Sequence, residues 1–169
     1  CGIGKSGFDS AISSAGNKNR WWEYNIQEPF IKMLPTNLAA GIGLGQLEMI
    51  DELQSTRKNI WNKYQEELKN IKEIIIPQEC KKDDRHSYFT YCIRAKNRDE
   101  LAHYLLDNEI YTTLRYHPLH MNPLYNQTHV TLENTEILNL EALSIPIHPR
   151  ITEEEQEIVI DKIKSFYKA

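Results

Sequence analysis

Three observations predict an α/β fold. A helical period runs through residues 34–70. An aromatic and β-branched stretch follows at Ser87-Tyr88-Phe89-Thr90-Tyr91-Cys92-Ile93. Two capped helical patterns come after it, one opened by Asn97 and one by Thr152. Together they describe a long helix followed by a small α/β sandwich, a mostly antiparallel sheet with helices on one face. The chain divides accordingly into a loop and extended stretch (1–33), the long helix (34–70) and a small α/β domain (71–169).

Composition narrows the function classes. The chain has 169 residues, 40% of them hydrophobic and 26% charged, ordinary values for a globular protein of one or two domains. A net charge of −4 gives no basic footprint for nucleic acid. No apolar run reaches the roughly 18 to 20 residues of a membrane span. Cys1, Cys80 and Cys92 are odd in number and lack metal spacing, which suits a reducing, cytoplasmic setting. The chain starts at Cys1 without a Met, and the expectation is the C-terminal part of something longer, or a proteolytic remnant of it.

The elements follow in order. Residues 1–20 hold Gly2, Gly4, Gly7 and Gly16 among serines and read as a surface loop; Gly4-Lys5-Ser6 lacks the earlier glycine of a phosphate-binding loop. Trp21-Trp22-Glu23-Tyr24-Asn25-Ile26 reads as a short extended segment that Pro29 ends. In the long helix, apolar residues recur at 38, 42, 49, 53, 60, 64 and 68, with Pro35 suited to the first turn and Thr36 or Asn37 as cap. A helix of about 33 residues is roughly 50 Å long. Gly41, Gly43 and Gly45 each cost on the order of 1 kcal/mol inside a helix, so close packing of this half is expected to offset them. Residues 71–77 make a short edge element and 78–85 a charged loop. The strand 87–93 follows, and then a helix capped by Asn97 with Leu101, Tyr104 and Leu105 inward. A second strand is expected over 110–116, then a proline-stiffened loop, a short helix over 133–142 and an extended segment at 144–149. A capping box of Thr152 and Glu155 opens the last helix, with Val159, Ile163 and Phe166 on its inner face.

Candidate chemistry is sparse. His117, His120, His129 and His148 could be ligands, and His86 adds to the temptation. Yet no Asp, Glu or Cys stands at ligand spacing, so no metal is expected. No Gly-x-Ser-x-Gly elbow supports a serine triad. His103 reads as solvated and His148 as structural. The cluster Arg115-Tyr116-His117-Pro118-Leu119-His120 is better equipped. Arg offers a fork for phosphate or carboxylate, Tyr and His add hydrogen bonds and a stacking face, and the prolines lower the entropy lost on binding. A polar, anionic small molecule such as a nucleotide-linked sugar fits that set; a surface ion pair beside a rigid turn is the plainer reading.

Several ordered motifs resemble one family. Thr36-Asn37-Leu38-Ala39-Ala40-Gly41-Ile42-Gly43-Leu44-Gly45-Gln46-Leu47 with Asp51-Glu52 is similar to the interdomain helix of the DegT/DnrJ/StrS family of pyridoxal-phosphate-dependent sugar-nucleotide aminotransferases. Arg85-His86-Ser87-Tyr88-Phe89-Thr90-Tyr91, Thr113-Leu114-Arg115-Tyr116-His117-Pro118-Leu119-His120 and Leu143-Ser144-Ile145-Pro146-Ile147-His148-Pro149 match in the same order. The resemblance covers about residues 20–168. It implies the C-terminal small domain of a fold type I pyridoxal phosphate enzyme, with residues 1–33 a remnant of the large domain. It implies amine transfer from an amino acid, glutamate above all, to a keto-sugar nucleotide, at a site shared by a homodimer. The Schiff-base lysine would lie upstream of Cys1, so no catalytic residue is assigned here and the chain alone is expected to be inactive. The family often has Asn at the position of Leu34, which cannot donate that hydrogen bond to the cofactor phosphate. Lys32 and Asn37 are the candidate cofactor contacts instead. Tyr88, Arg115, Tyr116, His117 and His120 fall on the sugar-nucleotide side. A non-catalytic nucleotide-sugar-binding or dimerisation module on the same fold is the second expectation.

Overall fold

The computed structural model describes residues 36–114, 116–125 and 129–168. Expectations that fall on residues 1–35, among them the Trp21-Trp22 segment, Lys32 and Leu34, lie outside the described residues, as does Arg115. Contacts divide the chain into two units, Cys1–Met49 and Ile50–Ala169.

In the first unit, helix α1 spans Asn37–Glu48. Thr36 caps it, its Oγ1 accepting the Ala39 N–H at 3.1 Å, so the cap is Thr36 and Asn37 is the first helical residue. The span expected as one helix over 34–70 is interrupted at Met49. This residue sits at φ −101° and ψ 4°, with its N–H turned to the Leu47 carbonyl. The poor helix propensity of the three glycines before it weakens the same stretch. No residue of α1 is buried, and Leu38, Ile42, Leu44 and Leu47 are 76%, 62%, 63% and 63% exposed. Among the described residues the close packing expected at the glycines is not found: a Cβ added at Gly41, Gly43 or Gly45 meets none of them within 4 Å. Gly43→Ala is therefore expected to stabilise α1 by roughly 1 kcal/mol, read as slower amide exchange in this helix. A destabilising result would place another backbone against Gly43.

The second unit begins with helix α2, Ile50–Leu68. Ile60, Trp61, Tyr64 and Leu68 on its helical stripe are buried. Strand β1 is Ile74–Ile75, β2 is Tyr91–Ala95 and β3 is Ala142–Ile145. They form an antiparallel sheet in the order β1-β2-β3, with Ile74 opposite Ala95 and Tyr91 opposite Ile145. The 71–77 element is thus the sheet edge. Helix α3 is Arg98–Asp107, α4 is Glu133–Glu141 and α5 is Glu153–Lys168. Tyr91, Ile93 and Ala95 alternate inward from β2, all four residues of β3 are buried, and Leu101, Leu105, Val159, Ile160 and Ile163 close the core from α3 and α5.

Side chains lock α2 to α5 and to the end of β3. Buried Gln156 donates to the Ile60 carbonyl at 2.8 Å, and the Tyr64 hydroxyl donates to the Pro146 carbonyl at 2.8 Å. Lys63 pairs with Glu157 at 3.0 Å, and Lys164 with Glu67. The capping box of α5 forms in both directions. The Thr152 N–H donates to Glu155 Oε2 at 2.9 Å and the Glu155 N–H to Thr152 Oγ1 at 3.1 Å.

Three local expectations need correction. The strand placed at 87–93 starts later, at Tyr91, because Tyr88 takes a left-handed φ of 48° that breaks the extended run. Asn97 precedes α3 as expected but makes no side-chain cap, because it too is left-handed, at φ 55°. Among the described residues, the strand expected over 110–116 is reduced to a single bridge between Thr113 and Ser144. These two exchange backbone hydrogen bonds of 3.1 and 2.8 Å. The next bonded pair of an antiparallel ladder would set Tyr111 opposite Pro146, which has no N–H to give and whose carbonyl already accepts Tyr64.

Candidate functional site

Residues 116–125 carry three of the predicted contacts. Leu119–Met121 and Pro123–Tyr125 are single 3-10 turns, and Pro118 is buried. This arrangement turns Tyr116 outward, 81% exposed, with His117 exposed beside it. His120 points the other way. Its side chain is 9% exposed and its Nε2 lies 3.0 Å from Glu136 Oε1. The same carboxylate oxygen accepts the Leu132 N–H at 3.0 Å. One oxygen thus ties the loop to the first turn of α4.

The Leu132 N–H, and after it His120, hold the Glu136 carboxyl below its ordinary range. A carboxyl lowered in the folded state adds stability above its unfolded value, near 4.3, and the contribution is lost as pH falls through the folded value. Acidification below about pH 4 is therefore expected to free the 116–125 loop. Amide exchange across 117–124 would report it, and Glu136→Gln should remove that pH step.

Tyr88 is held elsewhere, by α2. Its N–H donates to His86 Nδ1 at 2.8 Å, which fixes the left-handed turn. The Trp61 ring then packs against His86, Tyr88 and Tyr91 with centroids 4.7, 5.5 and 4.7 Å away. Such tilted and edge-on pairs add to simple burial. Trp61 Nε1 and the Tyr91 hydroxyl are buried without hydrogen-bond partners among the described residues. Burial, and next the charge of Glu79, push the Tyr91 hydroxyl well above its ordinary value. Sequence reasoning missed Trp61 as the support of Tyr88 and Glu136 as the partner of His120. The only available signal for Glu136 was a glutamate near the start of a predicted helix.

Asn37 is exposed in the first turn of α1, and Lys32 and Arg115 lie outside the described residues. His103 and His129 are exposed. His148 is structural, its Nδ1 accepting the Arg150 N–H at 3.1 Å and its carbonyl the Ile151 N–H at 3.0 Å. Among the described residues no three His, Cys, Asp or Glu side chains are placed to hold a metal, and no helix is long and apolar enough to cross a membrane. An open cleft of about 930 Å³ has a floor of Ile110, Ile145, Ile147 and Val159 and a rim that includes Arg57, His148 and Arg150. Tyr88, Tyr116, His117 and His120 are not among the described residues that line it.

Comparison with known proteins is specific. The DegT/DnrJ/EryC1/StrS aminotransferase family matches residues 10–164. The dTDP-4-dehydro-2,3,6-trideoxy-D-glucose 4-aminotransferase of Saccharopolyspora spinosa is 29% identical over 161 residues, covering 94% of this chain and 40% of that protein. The crystal structure of the aminotransferase TlmJ from Streptoalloteichus hindustanus superposes with a TM-score of 0.79 at 29% identity, over 91% of this chain and 42% of that one. Helicobacter pylori PseC, an aminotransferase involved in the biosynthesis of pseudoaminic acid, is matched as well, with a TM-score of 0.70 at 18% identity, over 86% of this chain and 42% of that one, a likeness of fold alone. The chain spans about two fifths of the length of the relatives it matches.

Proposed function

The chain belongs to the DegT/DnrJ/EryC1/StrS aminotransferase family, and on that premise we propose that it is the C-terminal portion of a pyridoxal-phosphate-dependent enzyme moving an amino group from glutamate to a keto-sugar nucleotide in the cytoplasm. The observation that carries this is the family match across residues 10–164, supported by a chain-long similarity to a dTDP-sugar 4-aminotransferase. Residues 34–70, interrupted at Met49, serve as the interdomain segment and 71–169 as the small domain. In the reaction the amino acid leaves as its 2-keto acid, and the sugar carbonyl carbon becomes an amine-bearing carbon. The cofactor, when bound, supplies the electron sink for this exchange.

This chain's own part is binding and orientation. Asn37 stands exposed at the N-terminal end of α1, where backbone N–H groups and the helix dipole favour an anion. That placement fits a contact to the cofactor phosphate, with Lys32 beside it in sequence. Arg115 supplies the fork for the nucleotide diphosphate. Tyr116 and His117, exposed on their stiff loop, and Tyr88 and His120 orient the sugar. The lysine that holds the cofactor comes from polypeptide outside these 169 residues, and two subunits complete each chamber.

The test uses the full-length protein with cofactor, glutamate and a keto-sugar nucleotide. Mass spectrometry is expected to show the amino sugar nucleotide, and the 169-residue chain alone should give none. Tight binding of the sugar nucleotide without cofactor uptake or turnover would instead identify a non-catalytic module.

A further inference from the structure

We propose that Glu136 is a positioning residue for His120. It fixes which ring nitrogen carries the proton and holds the loop that presents Tyr116 and His117. An ionised carboxylate only accepts hydrogen bonds. With Glu136 Oε1 at 3.0 Å from Nε2, a neutral His120 ring must keep its proton on Nε2. Nδ1 is then left as an acceptor, suited to a hydroxyl or N–H donor. The His120 side chain is 9% exposed and that of Glu136 36%, so water competes poorly from the ring side of the contact. The same oxygen takes the Leu132 N–H at 3.0 Å, and α4 thereby becomes the fixed base from which the two 3-10 turns project. The backbone bonds of these turns, Met121 N–H to the Pro118 carbonyl at 3.1 Å and Asn122 N–H to the Leu119 carbonyl at 3.0 Å, stay within the loop, whereas the His120–Glu136 contact leaves it. The donor that meets Nδ1 is a sugar hydroxyl only if the function proposed above holds; the tether itself does not depend on it.

The experiment uses the full-length protein with ¹⁵N-labelled histidine. Ring ¹⁵N shifts of His120 are recorded at a pH where the ring is neutral, for wild type, Glu136→Gln and Glu136→Ala. Glutamine keeps an acceptor oxygen for both partners, so it should preserve the Nε2–H tautomer and keep KM for the keto-sugar nucleotide within about threefold of wild type. Alanine should give a tautomer mixture and raise that KM by about tenfold, the scale of one hydrogen bond, with kcat little changed. An unaltered tautomer in Glu136→Ala would overturn the proposal, as would equal losses in the Gln and Ala variants. His120→Ala separates the two ideas. If it leaves KM at the wild-type value while Glu136→Ala still mixes the tautomers, Glu136 sets the ring tautomer, but the sugar-contact role of His120 and the loop-holding role of the pair both fail.

Discussion

Trp61→Ala is expected to destabilise the second unit by about 3–5 kcal/mol, the range for emptying a large aromatic site in a packed core. Trp61 is 2% exposed and sits in the main apolar cluster. Its ring meets His86, Tyr88 and Tyr91 at once, so α2, the turn at Tyr88 and the start of β2 all lose a wall together. Domains are stable by only about 5–15 kcal/mol, and such a loss leaves little margin. Trp61→Phe should be far milder. It keeps most of the ring contact and removes a buried Nε1–H that has no partner among the described residues, whose desolvation costs about 1–3 kcal/mol. Urea unfolding followed by far-ultraviolet circular dichroism reads both. If the alanine variant lost less than about 1 kcal/mol, the site would have to collapse without a cavity, and the aromatic cluster would not be the support described.

Arg98→Ala is the second large effect, expected near 3 kcal/mol. The Arg98 guanidinium donates from Nη1 to the Ala142 carbonyl at 3.0 Å and from Nη2 to the Asn139 carbonyl at 2.7 Å. Its Nε lies 2.7 Å from an Asp99 carboxylate oxygen, an ion-pair contact without hydrogen-bond alignment. The side chain is 11% exposed, so both carbonyls would be left short of a partner in poorly hydrated surroundings. Hydrogen bonds to charged groups are worth about 1.5–3 kcal/mol each. The fork spans the C-terminal turn of α4 and the first residue of β3, and it meets the negative end of the α4 dipole. Lysine keeps the charge but cannot reach two carbonyls in one plane, so Arg98→Lys should recover less than half of the loss. Thermal unfolding is the readout. At about 2–4 °C per kcal/mol for a chain of this size, the alanine variant should melt roughly 6–12 °C lower.

Features set by near neighbours were legible in the sequence. The Thr152–Glu155 box formed as read because both partners lie within one turn. The inward stripe of α2 followed from its period, and Leu101 and Leu105 from theirs. What failed depended on partners far along the chain or on backbone sign. A strand pattern at Ser87 gives no warning that the His86 ring will take the Tyr88 N–H and turn φ positive. Pro146 was visible, yet its missing N–H matters only once Thr113 is known to lie opposite Ser144. The cluster after Arg115 was recognised as chemically equipped, but its inner half is a tether. His120 faces Glu136, sixteen residues away, a separation that no periodic pattern encodes.

Helix α1 has a practical consequence. At 100° per residue, Leu38 and Ile42 fall on one side of α1 and Leu44 and Leu47 on the other, rather than along one stripe, and a helix that is oily on opposite sides is one meant to be enclosed. Produced by itself, the polypeptide would carry that bare greasy rod into solution. It is expected to bind reporter dyes such as ANS strongly and to settle into inclusion bodies or onto chaperones, whereas co-production with a segment like the one that its longer relatives carry ahead of the matched part should keep it in the supernatant.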